Sequence, residues 1–322
     1  MAKPKHKLLS GSAFVLKILL SGGLVIWLVA RSDLQQILAT LAHLSVPVLA
    51  AVVCLYLASM VINAYKWQVL LGHHRLRDLL LYILIAQYYS MVFPGQIAGE
   101  AVKVYKLGRS GRDTERIAAS VAVDRLTGLT AVALVALAGI LVSSSPVGEG
   151  YILALCLVLT AVFAGLYFLH NARVAKIVKG LVAVLTRPLP HPDRWQASIF
   201  GFIDAWRNYL RRPGLLSAAL VLGVLLQLVC VAINLMIARD IGIGVSFADW
   251  CWIFGIVSMI VFLPVTLGGL GVREGGFVFL LSLFGIAGDK ALALSFTVFG
   301  IQVLGAVLGG ILDVSLAWKR PE

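Results

Sequence analysis

The sequence predicts an all-α polytopic membrane protein, and three observations lead to that fold class. The chain has 322 residues, of which 60% are hydrophobic and 13% charged, whereas about 25% of residues are charged in a soluble domain. Its mean hydropathy is +0.96. Several apolar runs are long enough to cross a bilayer as helices. We therefore predict a single integral-membrane domain over 1–322.

Six apolar segments are predicted to cross the membrane. Each is apolar over most of its length and is bounded by charged or turn-forming residues. The first follows a lysine-rich start and is expected to remain uncleaved. In chain order the segments are 14–30, 46–65, 117–142, 151–169, 214–238 and 291–312.

Two further apolar segments are short and run into breaks rich in proline and glycine. The first break contains Pro94, Gly95 and Gly99 and is followed by Glu100; the second contains Pro264, Gly268, Gly269 and Gly271 and is followed by Arg273 and Glu274. Aligning Glu100 with Glu274 also aligns Glu115 with Asp289, which indicates an internal duplication. Matched broken helices in two halves indicate a transporter site.

The distribution of lysine and arginine predicts the topology. If both broken segments are re-entrant hairpins, nearly all cations fall on the cytoplasmic side. The halves then form an inverted repeat with two opposed hairpins, and both termini are cytoplasmic. The predicted boundaries are a first repeat over 46–143 with hairpin 79–107, a cytoplasmic basic linker over 171–213, and a second repeat over 214–318 with hairpin 250–287. Within the linker, 195–210 is predicted to be an amphipathic helix on the membrane surface.

Charged side chains near the breaks are candidates for binding a substrate. Charges at membrane depth face the protein interior and pair, so a polar cavity that binds a phosphate is one interpretation and structural ion pairs are the other. The candidates are Glu100, Lys103, Asp124, Arg125, Arg273 and Glu274. Gln87 and Gln302 are predicted to form interhelical hydrogen bonds, and Lys66 is predicted to lie at the membrane interface. No metal site or cofactor is predicted.

The order of these motifs resembles a known family. Pro94-Gly95, Gly99-Glu100 with Lys103, the segment 124–129, and Pro264 with 268–274 are similar to the flippase-like family named for the transmembrane domain of lysylphosphatidylglycerol synthases. The resemblance implies transfer of a lipid headgroup across the bilayer along a path lined by the charged positions. The chain to Glu322 leaves no room for the aminoacyl-transfer domain, so we expect a stand-alone member without synthase activity. Relatives of that kind are associated with glycolipid, prenyl-phosphate sugar or hopanoid pathways.

The resulting expectation is a non-enzymatic lipid flippase in a bacterial or archaeal plasma (inner) membrane. Its expected partners are the bilayer and a lipid substrate, which could be an anionic phospholipid, a glycolipid or a prenyl-phosphate lipid. The net charge of +12 favours an anionic lipid surface over nucleic acid. Two alternatives remain open: an integral-membrane enzyme acting on a lipid phosphate, and a non-catalytic partner of a membrane glycosyltransferase.

Overall fold

A computed structural model describes most of the chain, and every regular element in the described residues is an α-helix. The described residues are 22–72, 74–93, 97–108, 113–144, 148, 150–153, 155–157, 159–160, 164, 171–187, 192–262, 266 and 269–318. The helices are α1 Gly22–Ala30, α2 Leu34–Ala42, α3 Val46–Leu71, α4 Leu76–Val92, α5 Ile97–Gly108, α6 Thr114–Val142, α7 (residues 150–160, described in part), α8 Ala172–Thr186, α9 Pro192–Leu210, α10 Pro213–Asp240, α11 Phe247–Phe262, α12 Val272–Ser282 and α13 Gly288–Trp318.

Four of the described helices are long and apolar enough to span a membrane: α3, α6, α10 and α13. They coincide with four of the six predicted crossings. A fifth candidate is the pair α1 and α2, which is bent by 94° at a short break. The predicted crossings 14–30 and 151–169 lie partly outside the described residues. The chain is therefore a multi-pass membrane protein.

Helix α2 was not predicted, although its sequence contains the signals of a short amphipathic helix. The Asp33 carboxylate accepts hydrogen bonds from the Gln35 and Gln36 backbone N–H groups at 2.9 and 3.3 Å, which caps the helix start. Ile37 on its apolar face is buried against Leu292 and Ala293 of α13. This packing against the last helix holds α2 in place.

The helices α3 to α6 and α10 to α13 have the same order and similar lengths. They contain 26, 17, 12 and 29 residues in the first half and 28, 16, 11 and 31 in the second. Helix α3 packs against α10, α6 against α11, and α13 against α4. In this correspondence α3 matches α10, α4 matches α11, and α6 matches α13. The contacts are therefore symmetric between the halves: α6 packs against α11 as α13 packs against α4.

Each broken segment folds into a helical hairpin. Helix α5 packs back on α4, so that Val104 and Leu107 share a cluster with Leu79 and Ile83. Helix α12 packs back on α11 in the same way. The return arms begin at Ile97 and Val272, so Glu100 and Glu274 lie in the first helical turn, where an acidic side chain is favoured by the helix dipole.

The basic region 171–213 consists of the helices α8 and α9. The predicted amphipathic helix is present, but Trp206 and Tyr209 on its apolar face are buried against α3, α6 and α10 and not open to a membrane surface. Ile203 on the same helix is also buried. The Tyr209 hydroxyl donates to the Leu70 carbonyl oxygen at 3.1 Å. Burial raises the pKa of this phenol.

The largest core cluster of the described residues lies around α10 and α11 and includes two buried tryptophan rings. Tryptophan is often found at membrane interfaces, but Trp250 and Trp252 are 0% and 2% exposed and so lie in the core. Trp250 packs against Phe277 of α12 and Trp252 against Tyr151 and Phe284. The indole rings therefore join the two arms of the second hairpin, and Trp252 also packs against Tyr151 of α7.

Close glycine contacts join each hairpin to the opposite half. A Cβ atom on Gly139 of α6 would lie 2.6 Å from the Ala248 carbonyl oxygen and from Cys251 Cβ, and a Cβ atom on Gly309 of α13 would clash with the Leu84 carbonyl oxygen of α4. Small residues allow helix backbones to approach this closely in membranes.

Replacing Gly309 by leucine is expected to destabilise the protein by about 1 to 3 kcal/mol, because an overpacked contact forces the backbones apart. The check is the thermal unfolding midpoint of the purified protein in detergent. Gly300→Leu in the same helix is the matched control, since a Cβ atom there meets nothing within 4 Å. Equal midpoints for the two variants would contradict the tight contact.

Candidate functional site

A polar cavity of about 220 Å³ lies beside the first hairpin, between α3, α4, α5, α6 and α13. The last of these helices belongs to the second half of the chain. Three charged and four uncharged polar side chains contribute to the lining: Glu100, Lys103, Arg125, Asn63, Gln87, Ser90 and Gln302. The cavity therefore combines residues that are distant in the sequence.

Glu100 is the centre of the charged group in this cavity. Its Oε1 accepts a hydrogen bond from Lys103 Nζ at 3.2 Å, one helical turn away on α5, and another from Arg125 Nε at 2.9 Å. Arg125 Nη2 reaches the same oxygen. Among the described residues, Glu100 Oε2 has no hydrogen-bond partner. Two cations thus share one carboxylate, which leaves an excess positive charge.

Aromatic rings hold both cations in position. Lys103 is 6% exposed, and its Nζ lies 5.4 Å from the centre of the Trp67 ring. The Arg125 guanidinium lies 5.1 Å from the centre of the Phe262 ring. Phe262 is the last residue of α11, directly before the second break. Arg125 therefore contacts both hairpins.

A second charged group lies at the start of α12. The Arg273 Nη2 and Nε atoms donate to Glu274 Oε1 at 2.5 and 3.2 Å, and the hydroxyl of Ser295 on α13 donates to the same oxygen at 3.0 Å. Glu274 Oε2 accepts from the Gly271 N–H at 2.6 Å. Arg273 and Glu274 are 6% and 0% exposed, so these donors compensate for removing the charges from water.

Gln302 connects this second group to the cavity. Its side-chain oxygen accepts a hydrogen bond from Arg273 Nη1 at 3.1 Å, and its carbonyl oxygen accepts one from Gln87 Nε2 at 3.4 Å. Gln87 also contacts the Tyr56 hydroxyl at 2.5 Å. Both glutamines line the cavity. Their hydrogen bonds between helices agree with the prediction, whereas their place in the cavity was not predicted.

The glycines that the structure describes at the breaks fit its backbone closely. A Cβ atom on Gly99 would clash with Ser90 and with the Ala86 carbonyl oxygen. Gly269 and Gly271 have φ values of 82° and 84°, a region that favours glycine. The remaining predicted break residues, Pro94, Gly95, Pro264 and Gly268, lie outside the described residues.

Comparison with known families covers nearly the whole chain. Residues 14–310 match the family described as the lysylphosphatidylglycerol synthase TM region. The chain belongs to this family. No curated protein matches the chain. The matched range includes every residue of the cavity and of the Arg273 group, and it agrees with the resemblance predicted from the sequence motifs.

In this member of the lysylphosphatidylglycerol synthase TM family, Asp124 does not line the cavity. Its carboxylate pairs with Lys66 Nζ at 3.1 Å, and the same ammonium donates to the Asp124 carbonyl oxygen at 2.9 Å. Lys66 was predicted to lie at the membrane interface. This prediction is wrong, because Lys66 is 2% exposed. The signal was the apolar stretch Val69 to Leu71, which continues α3 beyond Lys66 and carries that side chain into the protein.

A further ionic contact, which the sequence did not reveal, ties the first hairpin to the last helix. Lys106 of α5 pairs with Asp313 of α13, and the Tyr89 hydroxyl donates to the same carboxylate at 2.9 Å. The side chains of Lys106 and Asp313 are only partly exposed. This contact supports the packing of α4 against α13.

The chemistry available in the described cavity is that of binding. Arginine and lysine donate charge-assisted hydrogen bonds to phosphate, and the amide and hydroxyl groups can bond to other parts of a headgroup. Within the described part of the chain, no three His, Cys, Asp or Glu side chains are placed to hold a metal ion.

Proposed function

We propose that the protein moves a lipid with a phosphate-containing or glycosylated headgroup between the leaflets of the membrane. The observation that carries the proposal is the cavity in which Lys103 and Arg125 share the single carboxylate of Glu100. An anion gives up its hydration when it enters a membrane, and paired cations in a polar site offset that loss. The headgroup would occupy the cavity while the tails remain in lipid.

The arrangement proposed for the membrane has six crossings and two re-entrant hairpins that enter from opposite sides. The support is the matching order of α3 to α6 and α10 to α13, the two antiparallel hairpins, and the clustering of cations in predicted cytoplasmic loops. The repeats would extend over 46–143 and 214–318. Inverted repeats allow the site to open to either side by movement of one unit against the other.

The proposed substrate path contains all six predicted charged residues in different roles. Glu100, Lys103 and Arg125 would contact the headgroup. Arg273 and Glu274 would act through Gln302, to which Arg273 donates at 3.1 Å. Asp124 would hold α6 in register through Lys66. We place the protein in a bacterial or archaeal plasma membrane with both termini in the cytoplasm.

Purified protein in liposomes provides the test. Fluorescent analogues of an anionic phospholipid are placed in both leaflets, and a membrane-impermeant reductant bleaches the outer one. We expect the protein to expose the inner pool to bleaching much faster than protein-free liposomes do. The assay is repeated with a glycolipid analogue and a prenyl-phosphate analogue. If the protein accelerates bleaching of none of the three lipids relative to protein-free liposomes, the proposal is rejected.

Two further readouts separate the alternatives: chemical analysis of the lipid after the assay, and the function of variants in cells. Recovery of a chemically changed lipid would support an enzyme acting on a lipid phosphate. If Arg207→Ala with Arg211→Ala abolished function in cells while Glu100→Gln did not, recruitment of a membrane glycosyltransferase through the basic region would be supported instead.

Cysteine labelling tests the proposed topology. In a variant without native cysteines, a cysteine at position 95 is expected to react with an impermeant reagent from the cytoplasmic side only, and one at position 269 from the outer side only. The physical reason is that each hairpin returns to the side from which it entered. Whole cells and inside-out vesicles provide the two orientations. Labelling of both positions from one side would contradict the inverted repeat.

A further inference from the structure

Helix α8 follows closely in the sequence after the predicted crossing 151–169. In the sequence, the apolar stretch 151–169 stops two residues before Asn171, whose side chain caps α8 by accepting a hydrogen bond from the Arg173 N–H at 2.9 Å. If 151–169 crosses the membrane as predicted, a helix that starts at this point would lie close to the boundary between headgroups and acyl chains. Its exposed side chains therefore face lipid or water, depending on the orientation of the helix.

The contacts between α8 and α9 fix that orientation. Lys179 Nζ lies 2.7 Å from both carboxylate oxygens of Asp204, and Gln196 Nε2 donates to Thr186 Oγ1 at 3.0 Å. Helix α9 is anchored in turn by its buried face against α6. One face of α8 is thus held against the protein, and the opposite face points away from it.

The outward face of α8 is apolar along its centre. Ile177, Leu181, Val184 and Leu185 are 65%, 59%, 57% and 64% exposed, and their helical spacing places them on one stripe. Trp195 at the start of α9 is 53% exposed. Among the described residues, none of the four has a burying neighbour. A contiguous apolar patch of this kind marks an interaction surface.

The charges around the patch identify the surface that it fits. Residues 171–212 contain eight Lys or Arg and two Asp, and Arg173, Lys176 and Arg187 are exposed at the two ends of the stripe. We propose that α8 is an interfacial helix whose apolar stripe inserts into an anionic leaflet of the bilayer, with its terminal cations on the lipid phosphates. A leaflet is favoured over a partner protein because the exposed cations at both ends of the apolar stripe complement the phosphates of an anionic bilayer surface.

Depth-sensitive fluorescence of the full-length protein tests this placement. The native cysteines are replaced, a single cysteine is introduced as Leu181→Cys or Asn208→Cys, and each is labelled with an environment-sensitive dye. The variants are reconstituted in vesicles of phosphatidylglycerol and phosphatidylcholine. Asn208 is an exposed residue of α9 that lies outside the stripe, which makes it the matched control.

The label at position 181 is expected to be quenched about threefold more strongly by nitroxide-bearing lipid than the label at 208, and correspondingly less by aqueous iodide. Adding Arg173→Glu and Lys176→Glu is expected to reduce lipid quenching at 181 in these vesicles but not in pure phosphatidylcholine. Iodide quenching at 181 equal to that at 208 would overturn the proposal. Shielding of 181 from both quenchers would overturn it as well, because protein would then cover the stripe.

Discussion

Replacing Arg125 by alanine is expected to lower the lipid-translocation rate about ten- to a hundredfold. The guanidinium donates two hydrogen bonds to Glu100 and lines the proposed headgroup site. A hydrogen bond to a charged group contributes about 1.5 to 3 kcal/mol, and about 1.4 kcal/mol changes a rate tenfold. The bleaching assay in liposomes measures the rate.

Two controls distinguish a role in transport from general damage. Arg239→Ala removes an exposed cation at the end of α10 and should leave the rate unchanged. Arg125→Lys keeps the charge but cannot make both bonds, so an intermediate rate is expected. If Arg125→Ala were folded and as fast as the native protein, the cavity would not be the transport path.

Replacing Glu274 by alanine is expected to destabilise the folded protein by about 3 to 5 kcal/mol, since removing one partner of a buried ion pair leaves the other charge uncompensated. Glu274 is 0% exposed and accepts hydrogen bonds from Arg273, Ser295 and the Gly271 N–H. Its loss therefore leaves the Arg273 guanidinium buried and frees the start of α12. Equilibrium unfolding in mixed detergent micelles measures the change.

The matched control for this variant is Asp204→Ala. Asp204 also pairs with a cation, Lys179, but its side chain is 56% exposed, and exposed pairs contribute about 0 to 1 kcal/mol. The two variants should thus differ by several-fold in their effect on the free energy of unfolding. A Glu274→Ala protein as stable as Asp204→Ala would mean that water reaches Arg273.

Local patterns in the sequence predicted the parts of the fold that depend on neighbouring residues. Apolar length predicted the four described spanning helices, and the two proline-glycine breaks lie between α4 and α5 and between α11 and α12. Glu100 and Lys103 are three residues apart, a spacing that places two side chains on one helical face, and they pair at 3.2 Å.

Contacts between helices that are distant in the sequence could not be predicted from local patterns. Lys66 and Asp124 are separated by most of the first repeat, and only the crossing of α3 and α6 brings them together. The amphipathic character of α9 was visible in the sequence, but it cannot reveal whether the apolar face meets lipid or α6. The cavity depends on α13 to supply Gln302, which no local spacing indicates.

The exchange of hairpin contacts between the halves has a consequence for how the molecule is built. Helix α4 packs on α13 and α11 packs on α6, so each hairpin depends on the last helix of the other half as well as on its own half. If either half were expressed alone, its hairpin would lack the helix of the other half that it packs against. Its own last helix would lack the hairpin of the other half. In two identical copies of such a fragment, the hairpin of each copy could pack against the last helix of the other. A gene fusion of that pair would produce a chain with this architecture.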